Sequence, residues 1–164
     1  MNISQIMEKM IVFSNGNLHD INHLMCVWTY AKTIGELEGL DCKTQETLEI
    51  AAITHDIACP LCREKYGNTN GKRQEEEGGP LVRNFLADAG LPAEQVDRVA
   101  YLVGHHHTYM GIDGIDYQIL IEADYIVNAS ESGYSPENRK NFLEQHMKTE
   151  SGKRLLRSTF CMET

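Results

Sequence analysis

Apolar residues recur three and four positions apart along almost the whole chain, and no strand-length stretch alternates strictly, so the pattern predicts an all-α protein. Ile3, Ile6, Met7, Met10 and Ile11 share one face of a first helix over 3–13, broken by Asn15-Gly16-Asn17. A second helix is predicted over 21–37, with Asp20 as N-cap and Leu24, Val27, Trp28, Ala31 and Ile34 as its buried stripe. A third spans 45–58 behind Thr44 as cap, with Leu48, Ala51, Ala52 and His55 on one face. Residues 59–70, rich in Pro, Gly and Asn, are expected to form a functional loop. Further helices are predicted from Gln74 or Pro80 to Ala89, over 92–107 ending in three histidines, and over 117–129. A polar tail over 136–160 reads as one or two helices separated near Ser151-Gly152. The expected architecture is a compact single-domain bundle of about six to eight helices over residues 1–164.

Composition narrows what such a bundle does. With 164 residues and 41% hydrophobic content, the chain is long enough for one core and too short for a second full domain. Its formal charge of -9 offers no basic stripe, which disfavours long nucleic acid as a partner. A small anionic substrate stays compatible where metal ions and a few basic residues offset the field. The five scattered cysteines, an odd number, fit free thiols in a reducing cytoplasm. No apolar run reaches the roughly 20 residues of a membrane span, and Met1 to Phe13 lacks the basic start of a secretory signal. A homodimer is compatible with this composition.

The candidate chemistry lies where polar residues interrupt apolar faces. His55-Asp56 closes the apolar run from Leu48 to Ile53, His23 lies near the start of the second helix, and Asp124 and Glu122 sit within an otherwise apolar segment. A buried carboxylate must be paired, protonated or bound to metal. His23, His55, Asp56 and Asp124 together supply two imidazoles and two carboxylates, a donor set suited to Mn, Fe, Ni or Zn. Neighbours on a helix point about 100° apart, so His55 and Asp56 converge on one ion only near a helix end. The His105-His106-His107 run also serves, on a plainer reading, as cationic side chains at a helix C-terminus. Glu75 to Glu77 read equally as a solvated helix start, and Cys59 and Cys62 have no second pair with which to complete a zinc site.

Three segments, NHLMCVWTYA around His23, AAITHDIA around His55-Asp56 and LIEADYIVNA around Asp124, carry a family pattern. In their order and helical context the chain resembles the HD-domain superfamily of metal-dependent phosphohydrolases over roughly residues 20–129. The resemblance implies His23, His55, Asp56 and Asp124 as ligands of one divalent ion, with Mg and Co joining the ions above, and Asp56 able to bridge to a second. Members with two metals carry two more histidines. Here His105 or His106 would be one, while GKRQEEEGGPLV offers only Glu75 or Glu77 for the other. The implied activity is hydrolysis of a small phosphorylated metabolite or nucleotide. Asp56 would orient the attacking water, Lys72 and Arg73 would hold phosphate, and His105 or His106 would protonate the leaving oxygen. Two rivals are a non-catalytic metal-binding sensor or interaction module, and, with a second metal, a di-iron oxygenase-like enzyme.

Overall fold

The computed structural model describes residues 1–163, and among them the secondary structure is helical throughout. Nine helices follow one another: α1 (Ile3–Phe13), α2 (Leu18–Glu38), α3 (Cys42–Thr54), α4 (Cys59–Tyr66), α5 (Gly71–Leu86), α6 (Ala93–Val103), α7 (Ile115–Glu131), α8 (Pro136–Gln145) and α9 (Glu150–Thr159). The long α2 packs against both α3 and α7, α3 also packs on α6 and α7, and α5 lies along α6. Ile34, Leu48, Ile53, Leu102, Ile119 and Ile126 are fully buried where these helices meet. Among the described residues no helix is long and apolar enough to cross a membrane.

Helix boundaries follow side-chain caps. Asn2 and Gln5 form a reciprocal capping box, and α1 occupies the predicted 3–13. Asn17, rather than Asp20, caps α2 by accepting from the Asp20 backbone N–H at 3.2 Å, so the helix starts three residues earlier and Asp20 is free to pair with Arg63. Asp41, rather than Thr44, caps α3 by accepting from the N–H groups of Lys43 and Thr44.

Three connections differ from the sequence expectation. Of residues 59–70 only 67–70 form a loop, because 59–66 are helical: Pro60 lies in the first turn of α4, where its missing N–H leaves no helical bond unmade. Gly67, at φ 71°, then ends α4 in the left-handed conformation. Helix α5 starts at Gly71 behind the Asn70 cap and runs through Pro80. Helix α6 stops at Val103, so the three histidines lie in the turn beyond it. In the tail the break falls at 146–149, because Thr149 caps α9 by accepting from the Gly152 N–H at 3.0 Å.

Candidate metal centre

Four elements deliver the candidate ligands to one place. Helix α2 contributes His23 from its buried face and α7 contributes Asp124 from its centre, at 5% and 4% exposure. Helix α3 ends at Thr54, with His55 as its C-cap and Asp56 in the following turn. That termination lets the adjacent His55 and Asp56 converge, which a continuous helix would prevent. The fourth element is the turn after α6, which supplies His106, fully buried. This turn is clamped: Tyr117 directs its hydroxyl at the carbonyls of His105 (2.7 Å) and Thr108 (2.6 Å). Glu75 accepts from the His107 backbone N–H at 3.0 Å and the Thr108 hydroxyl at 2.9 Å.

The hydrogen bonds at the far side of each ring fix what it presents to the centre. His55 and His106 direct Nδ1 at the carbonyls of Ala52 and Val103, both at 2.8 Å, and a carbonyl only accepts. Nδ1 of both rings therefore carries a proton, and Nε2 is the atom that offers a lone pair to an ion when the ring is neutral. His23 Nδ1 likewise faces the Glu131 carboxylate at 2.8 Å. The inward Nε2 atoms of His23 and His55 are 3.1 Å apart, and lie 3.2 and 3.4 Å from Asp124 Oδ1. Both are 3.6 Å from an Asp56 oxygen, and His106 Nε2 is 3.4 Å from Asp56 Oδ1 with no hydrogen-bond partner of its own. Lone pairs and carboxylates facing one another need a positive charge between them. This donor set fits a divalent metal, with outward Nδ1–H bonds of the kind that orient metal-bound histidines.

Protonation behaviour reflects the same demand. Burial opposes charge on His23, but the hydrogen bond it donates to Asp124 and the charges of Asp56 and Asp124, with Glu131 behind, push it up to about 10. Asp56 and Asp124 are held below the usual carboxylate range: burial opposes this, and the histidines around them prevail. The carboxylates thus favour a positively charged His23 when no ion is bound. The Cys59 thiol is pushed up by burial and by the charges of Asp56 and Asp20, so it is a neutral thiol at the rim.

A cleft of about 280 Å³ opens beside the centre and exposes Asp56, whose side chain is 28% accessible. Arg63, Gln74, His107, Tyr109, Asn128 and Glu131 contribute to its walls. Asp56, His106 and His107 form a second group with metal-ligating reach, in which His106 approaches Asp56 Oδ1 while His23 approaches Oδ2. His107 Nε2 and Gln74 Oε1 are buried without hydrogen-bond partners, and the Gln74 amide donates to the Thr69 carbonyl at 2.8 Å. Burial and the neighbouring His106 bring His107 down to about 4, so this ring is neutral at neutral pH.

Several residues singled out in the sequence lie elsewhere. His105 donates from Nδ1 to the Tyr101 carbonyl at 2.7 Å and stacks on the Tyr101 ring, away from the cleft. Glu77 is engaged by Lys65 and Tyr66, each at 2.6 Å, and Glu75 holds the histidine turn. Lys72 is exposed, and Arg73 pairs with Glu76 at 2.8 Å over the Tyr66 ring. The basic residue that does line the cleft is Arg63, paired with Asp20. Sequence reasoning left open which of His105, His106 and His107 faces the site, and missed Arg63, Gln74, Asn128 and Glu131. A signal existed for three of them: Gln74 shares a helical face with Gly78 and Val82, while Asn128 and Glu131 follow Asp124 at four and seven residues.

An all-helical fold that gathers His23, the His55-Asp56 pair, His106 and the distant Asp124 at one buried centre defines a class of helical proteins whose donor set could hold a metal. The HD domain model matches residues 20–150, and the chain belongs to the HD domain family. The matched span extends beyond the metal-centre segments through α8. Among solved structures, a predicted HD superfamily hydrolase from an uncultured Thermotogales bacterium is similar over 96% of this chain and 84% of that one, with 20% identity and a TM-score of 0.69. That likeness is one of fold. No curated protein matches the chain.

Proposed function

We propose that this protein is a metal-dependent hydrolase of a small phosphate ester or nucleotide, with one divalent ion held by His23, His55, Asp56 and Asp124. The observation that carries the reading is the convergence of Nε2 lone pairs on two carboxylates, beside a cleft open at Asp56. A divalent ion bound there supplies Lewis acidity toward a phosphoryl oxygen and lowers the pKa of water. Asp56 faces both the centre and the cleft, so it orients the attacking water and takes its proton. Arg63 assumes the phosphate-binding role expected of Lys72 and Arg73, since its guanidinium reaches the cleft and can exchange Asp20 for a phosphate. His107, which lines the cleft, meets the leaving group in place of His105 or His106: His106 is fully buried against it and His105 turns to Tyr101.

The cleft's size suits a small phosphorylated metabolite or the phosphate end of a nucleotide. A second ion, if bound, would take Asp56, His106 and His107 with the Gln74 carbonyl nearby, instead of Glu75 or Glu77. Counting metals per chain decides between the hydrolase and the di-iron oxygenase-like reading. The cleft at Asp56 favours turnover over a binding-only sensor, whose site would be closed around its ion. The five cysteines, all free, are in keeping with a reducing cytoplasm.

The test is elemental analysis of protein purified without a metal-affinity tag, joined to a phosphatase screen with Mn, Fe, Co, Ni, Zn and Mg. The expected result is one ion per chain and ion-dependent release of phosphate, both abolished by His55→Ala. Absence of metal, together with absence of activity with every ion added, refutes the reading.

A further inference from the structure

The strongest unexplained feature lies between α8 and α9, in a cleft of about 880 Å³ that shares no lining residue with the metal centre. Five cations line it, Arg139, Lys140, Lys148, Lys153 and Arg157, against the two carboxylates Glu144 and Glu163. That excess of positive charge occurs on a chain whose formal charge is -9. Carboxylates are plentiful enough that Arg63, Arg73, Arg83 and Arg98 each rest on one. In the cleft Lys140 pairs with Glu144 and Lys153 with Glu150, whereas among the described residues Arg139 and Arg157 have no carboxylate partner and the Nε of each is buried without an acceptor.

An unsatisfied buried donor is unfavourable, and a guanidinium fork is matched best by a tetrahedral oxyanion or a carboxylate. Arg139 is also held in place, with its guanidinium carbon 4.4 Å from the centre of the Phe160 ring. The cleft floor is apolar, formed by Leu143, Met147 and Phe160. A concave site with an apolar floor and convergent cations suits a compact anion with an apolar or aromatic body. The acidic surface elsewhere would repel a long polyanion, which excludes a nucleic acid strand. We propose that the α8–α9 cleft is a second binding site, separate from the metal centre, for a phosphorylated small molecule whose phosphate meets Arg139 and Arg157 and whose body lies on Leu143, Met147 and Phe160.

The experiment titrates the full-length, metal-loaded protein with inorganic pyrophosphate and with adenosine monophosphate, following backbone amide and methionine-methyl NMR signals. The expected result is saturable shifts at Met147, Arg157 and Phe160, with adenosine monophosphate binding more tightly than pyrophosphate because it adds contact with the floor. Arg157→Gln and Arg139→Gln each weaken this binding by about tenfold, the loss of one charge-assisted contact. Arg157→Lys retains part of it, and Lys72→Gln has no effect. Should the arginine variants fail to fold, Lys140→Gln and Lys153→Gln, on the rim, take their place with a smaller expected loss. Shifts confined to residues lining the metal cleft, or equal affinity in parent and variants, overturn the proposal. The readout is binding at α8–α9, so the result is independent of whether the metal centre hydrolyses phosphate.

Discussion

Two buried acids on α7, Glu122 and Asp124, look alike in sequence, and substituting them separates structure from chemistry. Glu122 is fully buried and accepts from the backbone N–H groups of Lys148 (2.6 Å) and Thr149 (3.0 Å), from Gln118 Nε2 (2.8 Å) and from the Thr149 hydroxyl. It thereby ties α7 to the connection between α8 and α9. In Glu122→Leu the Gln118 amide still has the His146 carbonyl at 2.8 Å, but the two backbone donors lose their acceptor. At about 1–3 kcal/mol for each buried unsatisfied donor, the expected destabilisation is about 3–5 kcal/mol, a large part of the ~5–15 kcal/mol typical of a domain. Glu122→Gln keeps one acceptor oxygen and should cost about half as much. Urea unfolding followed by circular dichroism, in chelator with the slope held common, measures these differences. Asp124→Asn should instead abolish stoichiometric metal binding, whereas Glu122→Gln leaves metal content intact. A Glu122→Leu protein within about 1 kcal/mol of the parent would refute the reasoning, because that is less than the cost of a single lost acceptor.

Other consequences are open to direct measurement. His23 rises from its ordinary 6.5 to about 10 in the metal-free fold, so the stabilisation its proton brings is complete below pH 6.5 and is lost as pH climbs through about 10. Chelator-treated protein should therefore melt at progressively lower temperature across that window. Saturating metal, which replaces the proton, should flatten the slope, and a flat profile without metal would contradict the assignment. Glu131→Ala removes the acceptor for His23 Nδ1–H, and a competing chromophoric chelator should report metal affinity reduced about 10–100-fold. Gly71→Ala would place a Cβ 2.7 Å from the His107 ring, and thermal melts should show a loss of about 1–3 kcal/mol from overpacking.

Much of the architecture is local and therefore legible along the chain. The spacing of Ile3, Ile6, Met7 and Met10 places α1 at its observed bounds. The apolar periodicity of α2, α3 and α7 locates the segments that carry His23, His55 and Asp124, because each burial face repeats with the helical turn. Ends were less legible. Asn17 and Asp41 outcompeted Asp20 and Thr44 as caps because each lies N-terminal to its rival and satisfies the first free N–H groups. The segment over 59–70 has turn-prone composition, yet Pro60 falls where proline favours a helix start.

By itself, the sequence determined an all-helical chain in which a histidine, a His-Asp pair and a distant aspartate each interrupt an apolar face. Periodicity assigns a residue to a face of its own helix and carries no record of which other helix that face meets. Only the tertiary structure decided that Asp124 points to the histidines while Glu122, two residues earlier, points to the α8–α9 connection. Past Val103 the backbone leaves the helix, so helical spacing no longer governs direction, and the packing of Tyr117 and Glu75 turns His106 and His107 inward and His105 outward. The same dependence on long-range packing brings Arg63 to the cleft and leaves Lys72 and Arg73 on the surface.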